Sequence, residues 1–317
     1  MLRYHMMSEY RKKWLWLVYS ILAALTWGVW GILTKFISAD TGPFATHFMF
    51  TSGALLTLPL VIRHCKITEA NIKGIIFGVG AGIIVVLGNV SVYQSFKMGG
   101  QAAIVIPFTN LYPIVTILVA LAVFKEKLTP LNALGIFIVV PAIIIMSGQS
   151  EILRDPLHFF KNVGPKSWLI FAFTSLILFG LYSASQKVIA GNLTASWSYI
   201  SFIISSLMVS ISFIAFGLVD FHFQQKSFWF GSAAGFLDGL GVLAVFSAYR
   251  AGGKASKVST VAATLQQVFT VSLALVFLKE RINLISFIGI VMAILGTYLL
   301  STGQRIVKSE NNLNVIN

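Results

Sequence analysis

Apolar runs of about twenty residues, separated by short polar breaks, occupy nearly the whole chain. Ten can be delimited, at about 14–37, 43–62, 74–97, 101–124, 130–149, 167–190, 196–218, 228–250, 255–278 and 283–301. Each is long enough to cross a hydrocarbon core of ~30 Å as a helix. The runs are continuously apolar instead of alternating with period two, which favours helices over a barrel. The pattern therefore predicts an all-α integral membrane protein with ten transmembrane helices. The first run follows Arg11-Lys12-Lys13, which imitates the charged start of a signal peptide. It is too long for a signal core and a second run follows closely, so a retained signal anchor is expected.

The same segments also repeat. Phe77–Val105 returns as Phe230–Val258 at an offset of 153, with eleven of twenty-nine positions identical. At 154, Lys125-Glu126-Lys127-Leu128 pairs with Lys279-Glu280-Arg281-Ile282; at 152, Trp27-Gly28 pairs with Phe179-Gly180 and Lys35 with Lys187. The chain reads as a first five-helix repeat over 14–149, a linker over 150–166, a second repeat over 167–303 and a polar C-terminal tail over 304–317. Five is an odd number, so the second copy must insert upside down relative to the first. Inverted-topology repeats place a substrate site near the bilayer midplane, between the halves.

Composition sharpens this reading. Only 10% of residues are charged, against 57% hydrophobic, where a soluble domain carries roughly 25% charged residues. The net charge of +13 sits at span ends, which points to orientation and lipid headgroups and not to nucleic acid. With the N-terminus inside, the cytoplasmic segments hold fifteen cations and the opposite side eight. Both termini are thus expected in the cytoplasm, at a bacterial inner membrane. The single Cys65 leaves no intramolecular disulfide and no cysteine-cluster metal site.

Small residues recur at four-residue spacing in the third span of each copy: Gly74, Gly78 and Gly82, then Gly231, Gly235 and Gly239. Such stripes let helix backbones approach closely in lipid. In the first copy Ser95-Phe96-Lys97-Met98-Gly99-Gly100 leads into a span with Pro113, then Phe124-Lys125-Glu126-Lys127-Leu128 and Gly135. The second has Ala248-Tyr249-Arg250-Ala251-Gly252-Gly253, then Phe277-Leu278-Lys279-Glu280-Arg281-Ile282 and Gly289. In order and duplication these residues resemble the EamA-type ten-helix branch of the drug/metabolite transporter superfamily, over about 15–303. The resemblance implies a transporter in which the first four helices of each half surround a central cavity. It also implies that the fifth and tenth helices are peripheral, where they could support a homodimer. Two positions depart from the pattern: Gln267 stands where the first copy has Pro113, and His47 sits near where many relatives carry arginine.

Asp238 is the one acid deep in an apolar run, and its repeat equivalent is Val85. A carboxylate at the bilayer centre costs about 2.5–3.5 kcal/mol on insertion scales, so it normally faces a cavity or a partner. It is a candidate for binding a coupling proton or a substrate ammonium; a hydrogen-bonded packing residue on the glycine stripe is the competing reading. Other polar residues at similar depth are Thr26, Trp30 and Thr34, then Asn89 and Tyr93, Asn110 and Tyr112, Tyr182 and Gln186, and Gln266 and Gln267. Aromatic faces with amides suit an organic solute, although each residue could equally join helices at about 0.6 kcal/mol apiece. Pro107 and Pro113 free backbone carbonyls and predict a kink in the fourth span. His47 has no second histidine at helical spacing, so no metal site is expected, and no cofactor.

Enzymatic signatures fare badly. Gly239-Leu-Gly241-Val-Leu-Ala244 imitates a dinucleotide fingerprint but lies within a membrane run and follows no strand. The expectation is a secondary transporter for a small organic metabolite such as an amino acid, sugar or drug-like solute. Alternating access would drive it, with proton coupling through Asp238. Its partners would be that solute and the bilayer. The rival reading is a membrane receptor or assembly subunit that binds without translocating.

Overall fold

A glycine in the left-handed region divides the first long helix. Helix α1 (Leu2–Leu55) is interrupted at Gly42, with φ 77° and ψ 169°, immediately before Pro43. A side chain there would be strained and would also meet the Lys97 ammonium. The part before the break includes an apolar stretch at Trp14–Ser38, and the part after it returns through the bundle.

The computed structural model describes residues 2–123, 129–147, 167–251 and 255–313. After α1 come α2 (Leu58–Ile62), α3 (Ile72–Lys97), α4 (Ala102–Thr109), α5 (Pro113–Val123) and α6 (Pro130–Ser147). The second half contributes α7 (Trp168–Asn192), α8 (Ala195–Ala215), α9 (Gln225–Arg250), α10 (Ala255–Phe277) and α11 (Leu284–Leu313). Among the described residues the secondary structure is helical, apart from turns and connections. The linker, the Lys125-Glu126-Lys127-Leu128 segment and Gly252-Gly253 lie outside them.

Six helical stretches among the described residues are long and apolar enough to cross a membrane. They are Trp14–Ser38, Ile72–Lys97, Ala102–Val123, Trp168–Gln186, Ala195–Ala215 and Gln225–Ala248. Pro130–Met146, Val261–Phe277 and Leu284–Leu300 are shorter apolar helices. The run at 43–62 is not one continuous helix. The N–H groups of Leu56 and Thr57 bond three residues back, to Gly53 and Ala54, and Pro59 follows at the start of α2. A proline has no N–H with which to continue the preceding helix. Pro113 has the same effect between α4 and α5, whereas Pro107 is accommodated inside α4. The helix of the last run continues beyond 301 to Leu313.

Side-chain hydroxyls and amides start several helices. The Asn71 side chain accepts from the Gly74 N–H at 3.3 Å, and Thr194 accepts from the Trp197 N–H at 3.5 Å. Each satisfies one orphan donor of a helix N-terminus.

The halves meet through reciprocal contacts. Gly82 of α3 lies against Phe202 and Ser205 of α8, while Gly235 of α9 lies against the Phe50 backbone of α1. Gly235 is Gly82 displaced by 153 and Phe202 is Phe50 displaced by 152. Gly78 against Ser201 matches Gly231 against Met49, and Gly88 against Phe179 matches Gly241 against Trp27. The pattern reaches the last helices of each copy, where Gly135 meets Leu300 and Gly289 meets Met146. In every case a surface of one copy contacts the partner surface of the other, the mark of an isologous two-fold interface. The glycines allow these approaches because a Cβ at each would collide with the facing helix.

Outward faces carry large apolar side chains, including Phe137 at 75% exposure and Leu284 at 73%. Exposed apolar surface of this extent suits a lipid environment.

Candidate functional site

A cavity of about 140 Å³ lies between the halves. Its walls come from the first span (Trp27, Trp30), α3 (Val85, Asn89), the α4–α5 break (Asn110, Tyr112) and α7 (Phe179, Tyr182, Ser183, Gln186). Phe202 of α8, Asp238, Val242, Val245 and Phe246 of α9, and Ala262, Ala263 and Gln266 of α10 complete it. Many of these residues are repeat equivalents of one another. Trp27 and Phe179 correspond, as do Trp30 and Tyr182, Val85 and Asp238, Asn89 and Val242, and Tyr112 and Gln266. The frame is thus duplicated while the polar groups on it are not.

Asp238 is 8% exposed and carries the one carboxylate on the cavity wall among the described residues. The Trp27 side chain lies beside it. Gly241 makes that placement feasible, because a Cβ at 241 would lie 2.5 Å from the Trp27 indole nitrogen. Tyrosines 93, 182 and 199 lie within electrostatic reach of the carboxylate. No lysine, arginine or histidine lines the cavity among the described residues.

The aromatic walls are braced from behind. Trp30 packs against Tyr93 at 6.3 Å between ring centroids, and Tyr93 against Phe50 at 6.4 Å. Tyr112 meets Phe179 edge to face at 6.5 Å. Tyr182 lies beside the Gln186 side chain. Asn110 is 5% exposed, and its amide nitrogen has no hydrogen-bond partner within the protein.

Eight of the residues expected to form a site converge here: Trp30, Asn89, Asn110, Tyr112, Tyr182, Gln186, Gln266 and Asp238. Four do not reach the cavity wall. Thr26 turns its hydroxyl back to the Ala23 carbonyl at 3.0 Å, and Thr34 donates to the Trp30 carbonyl at 2.8 Å. Tyr93 is wholly buried behind Trp30. Gln267 donates to the Thr297 hydroxyl at 3.1 Å, joining α10 to α11. His47 is fully buried, with Nε2 3.2 Å from the Ser206 carbonyl of α8.

Sequence reasoning missed Phe179, Val242 and Phe246 as wall residues. Applying the repeat offset to Asn89 would have found Val242.

The two ends of the cavity differ. At one end Phe246 also borders a second pocket of about 340 Å³, lined by Leu60, Val61, His64, Ala195, Ser196, Leu243 and Ser247. At the other end the connection from α3 to α4 is clamped. The Lys35 ammonium donates to the Gly100 carbonyl at 2.7 Å, and Glu280 accepts from the Ala102 and Ala103 N–H groups at 2.8 and 2.9 Å. Lys279, at φ 52°, forms the tight turn that precedes Glu280.

Comparison with known proteins agrees with the duplication. An uncharacterized protein of Methanocaldococcus jannaschii is 24% identical over 131 residues, which are 41% of this chain and 95% of that protein. The relative is therefore close to a single copy in length. One solved crystal structure superposes with a TM-score of 0.60 over 89% of this chain and 94% of the other, at 15% identity, a likeness of fold alone. The model of the EamA-like transporter family matches twice, over residues 14–148 and 166–302. With both copies matched in succession, the chain belongs to the EamA-like transporter family.

Proposed function

We propose that this chain is a secondary transporter that moves a small organic solute by alternating access between two inverted five-span halves, with Asp238 as the coupling group. The observation that carries this reading is the set of reciprocal glycine contacts around one cavity whose wall holds a single buried carboxylate. An isologous pair of halves has two equivalent ways to tilt, each exposing the shared cavity to one side. A carboxylate in that cavity can hold either a proton or a cationic group, and exchange between them couples the two fluxes.

In this reading both termini face the cytoplasm of a bacterial inner membrane, following the distribution of cations. The Lys35 and Glu280 clamp then lies at the outer end, and the pocket beyond Phe246 at the inner end. The exposed faces of α6 and α11 are left to lipid or to a second copy.

Reconstitution into proteoliposomes with a panel of metabolites tests the proposal. Saturable uptake that depends on an imposed pH gradient is expected, and Asp238→Asn should remove the gradient dependence. Uptake by the variant with unchanged gradient dependence would overturn the coupling role.

A further inference from the structure

The cavity limits both the charge and the size of what it can hold. Asp238 stands on a wall without a described basic side chain to balance it. The neighbouring Trp27 indole supplies a dipole but no charge. An ionised carboxylate removed from water is stabilised most by a cation. Trp30 and Tyr182, repeat equivalents on opposing halves, present aromatic walls to the same space. Aromatic faces attract organic cations through the ring quadrupole, more strongly once water is excluded.

Size is the second limit. At about 140 Å³ the cavity is comparable to an engineered cavity of about 150 Å³ known to hold benzene. It therefore accommodates a body of about one ring with a short arm.

We infer that the ligand of this cavity is a small organic monocation, a protonated amine on a ring-sized apolar body, held with its ammonium at Asp238 and its body against the aromatic walls. The inference rests on the reading of this cavity as the transport site. Zwitterions and carboxylates fit poorly, since either places a second negative charge beside Asp238 with no described cation on the wall to compensate it.

The test uses the purified full-length chain in lipid nanodiscs and four probes of one skeleton: phenethylammonium, 2-phenylethanol, phenylalanine and 3-phenylpropionate. Binding is followed by tryptophan fluorescence and calorimetry, so it needs no transport. Phenethylammonium should bind at least about tenfold more tightly than the other three. Asp238→Asn should lose that preference while its affinity for 2-phenylethanol stays within about twofold, and Asp238→Glu should retain a preference for the cation. Phenylalanine or 3-phenylpropionate binding as tightly as phenethylammonium to the unmodified protein would overturn the inference without any variant. Cation-selective binding with no uptake in proteoliposomes would refute the transport reading and leave the ligand class standing.

Discussion

Val85 and Asp238, equivalent positions in the two copies, face the same cavity, one as an aliphatic wall and the other as its carboxylate. The duplicated frame thus presents one chemistry from one side and a different chemistry from the other. Ligand orientation in such a cavity follows from that asymmetry, because among the described wall residues only one half offers a charge.

Replacing Asp238 by Val restores the symmetry. The variant should fold with stability equal to or above that of the parent, since burying the carboxylate costs about 2.5–3.5 kcal/mol at mid-membrane. Uptake of a cationic substrate should fall by at least about tenfold, the effect of losing roughly 1.4 kcal/mol of binding. Thermal unfolding in detergent and proteoliposome uptake, measured on the same preparation, separate the two effects.

The crossing of α1 and α9 depends on Gly235. A methyl group there would run into the Phe50 backbone carbonyl, whereas nothing lies within 4 Å of a Cβ at Gly80 of α3. Gly235→Ala should therefore cost about 1–3 kcal/mol through overpacking. Gly80→Ala should be neutral or stabilising by up to about 1 kcal/mol, from the better helix propensity. Equilibrium unfolding in mixed micelles checks the pair.

Glu280 holds the start of α4 by accepting from two backbone N–H groups. Glu280→Gln keeps the shape but removes the charge and one acceptor. Hydrogen bonds to charged groups contribute about 1.5–3 kcal/mol each, so the clamped end should open more often. A cysteine introduced at Ala263 on the cavity wall, in a Cys65→Ser background, should react faster with a membrane-impermeant maleimide from the outside. An unchanged rate would mean that Glu280 does not control access.

Cys65 offers a test of topology. It sits in the connection between the second and third spans of the first copy, and Gln224 sits in the equivalent connection of the second. If the copies are inverted, Cys65 should label from the cytoplasmic side, and Gln224→Cys in a Cys65→Ser background from the outer side. Burial is the main cause that raises the Cys65 thiol above its ordinary pKa, partly opposed by a hydrogen bond with Ser196. Because the thiolate is the reactive form, labelling of Cys65 should be slow at neutral pH and keep accelerating above about pH 8.5, the ordinary thiol value. Labelling of both sites from one side would refute the inverted arrangement.

Much of this architecture can be read from local pattern. Apolar runs of membrane length, the offsets near 153 and the glycines recurring with them require only composition and register. They lead to a helical membrane protein built twice and to the transporter family. Asp238 stands out for the same reason, since a charge in a long apolar run is costly wherever the helix turns.

Which face of each helix meets the cavity is a different matter. Gln266 and Gln267 are neighbours of one residue type, yet one lines the cavity and the other bonds to Thr297 between α10 and α11. Successive residues on a helix point about 100° apart, and in a helix that is apolar all round no hydrophobic periodicity marks the inward face. Tyr93 and Phe246 make the same point, since they are repeat equivalents and only Phe246 reaches the cavity. Those choices are made by packing. The glycine contacts set how far each helix rotates and how closely it approaches its partner, and that rotation brings Asp238, Trp27 and Asn110 around one cavity.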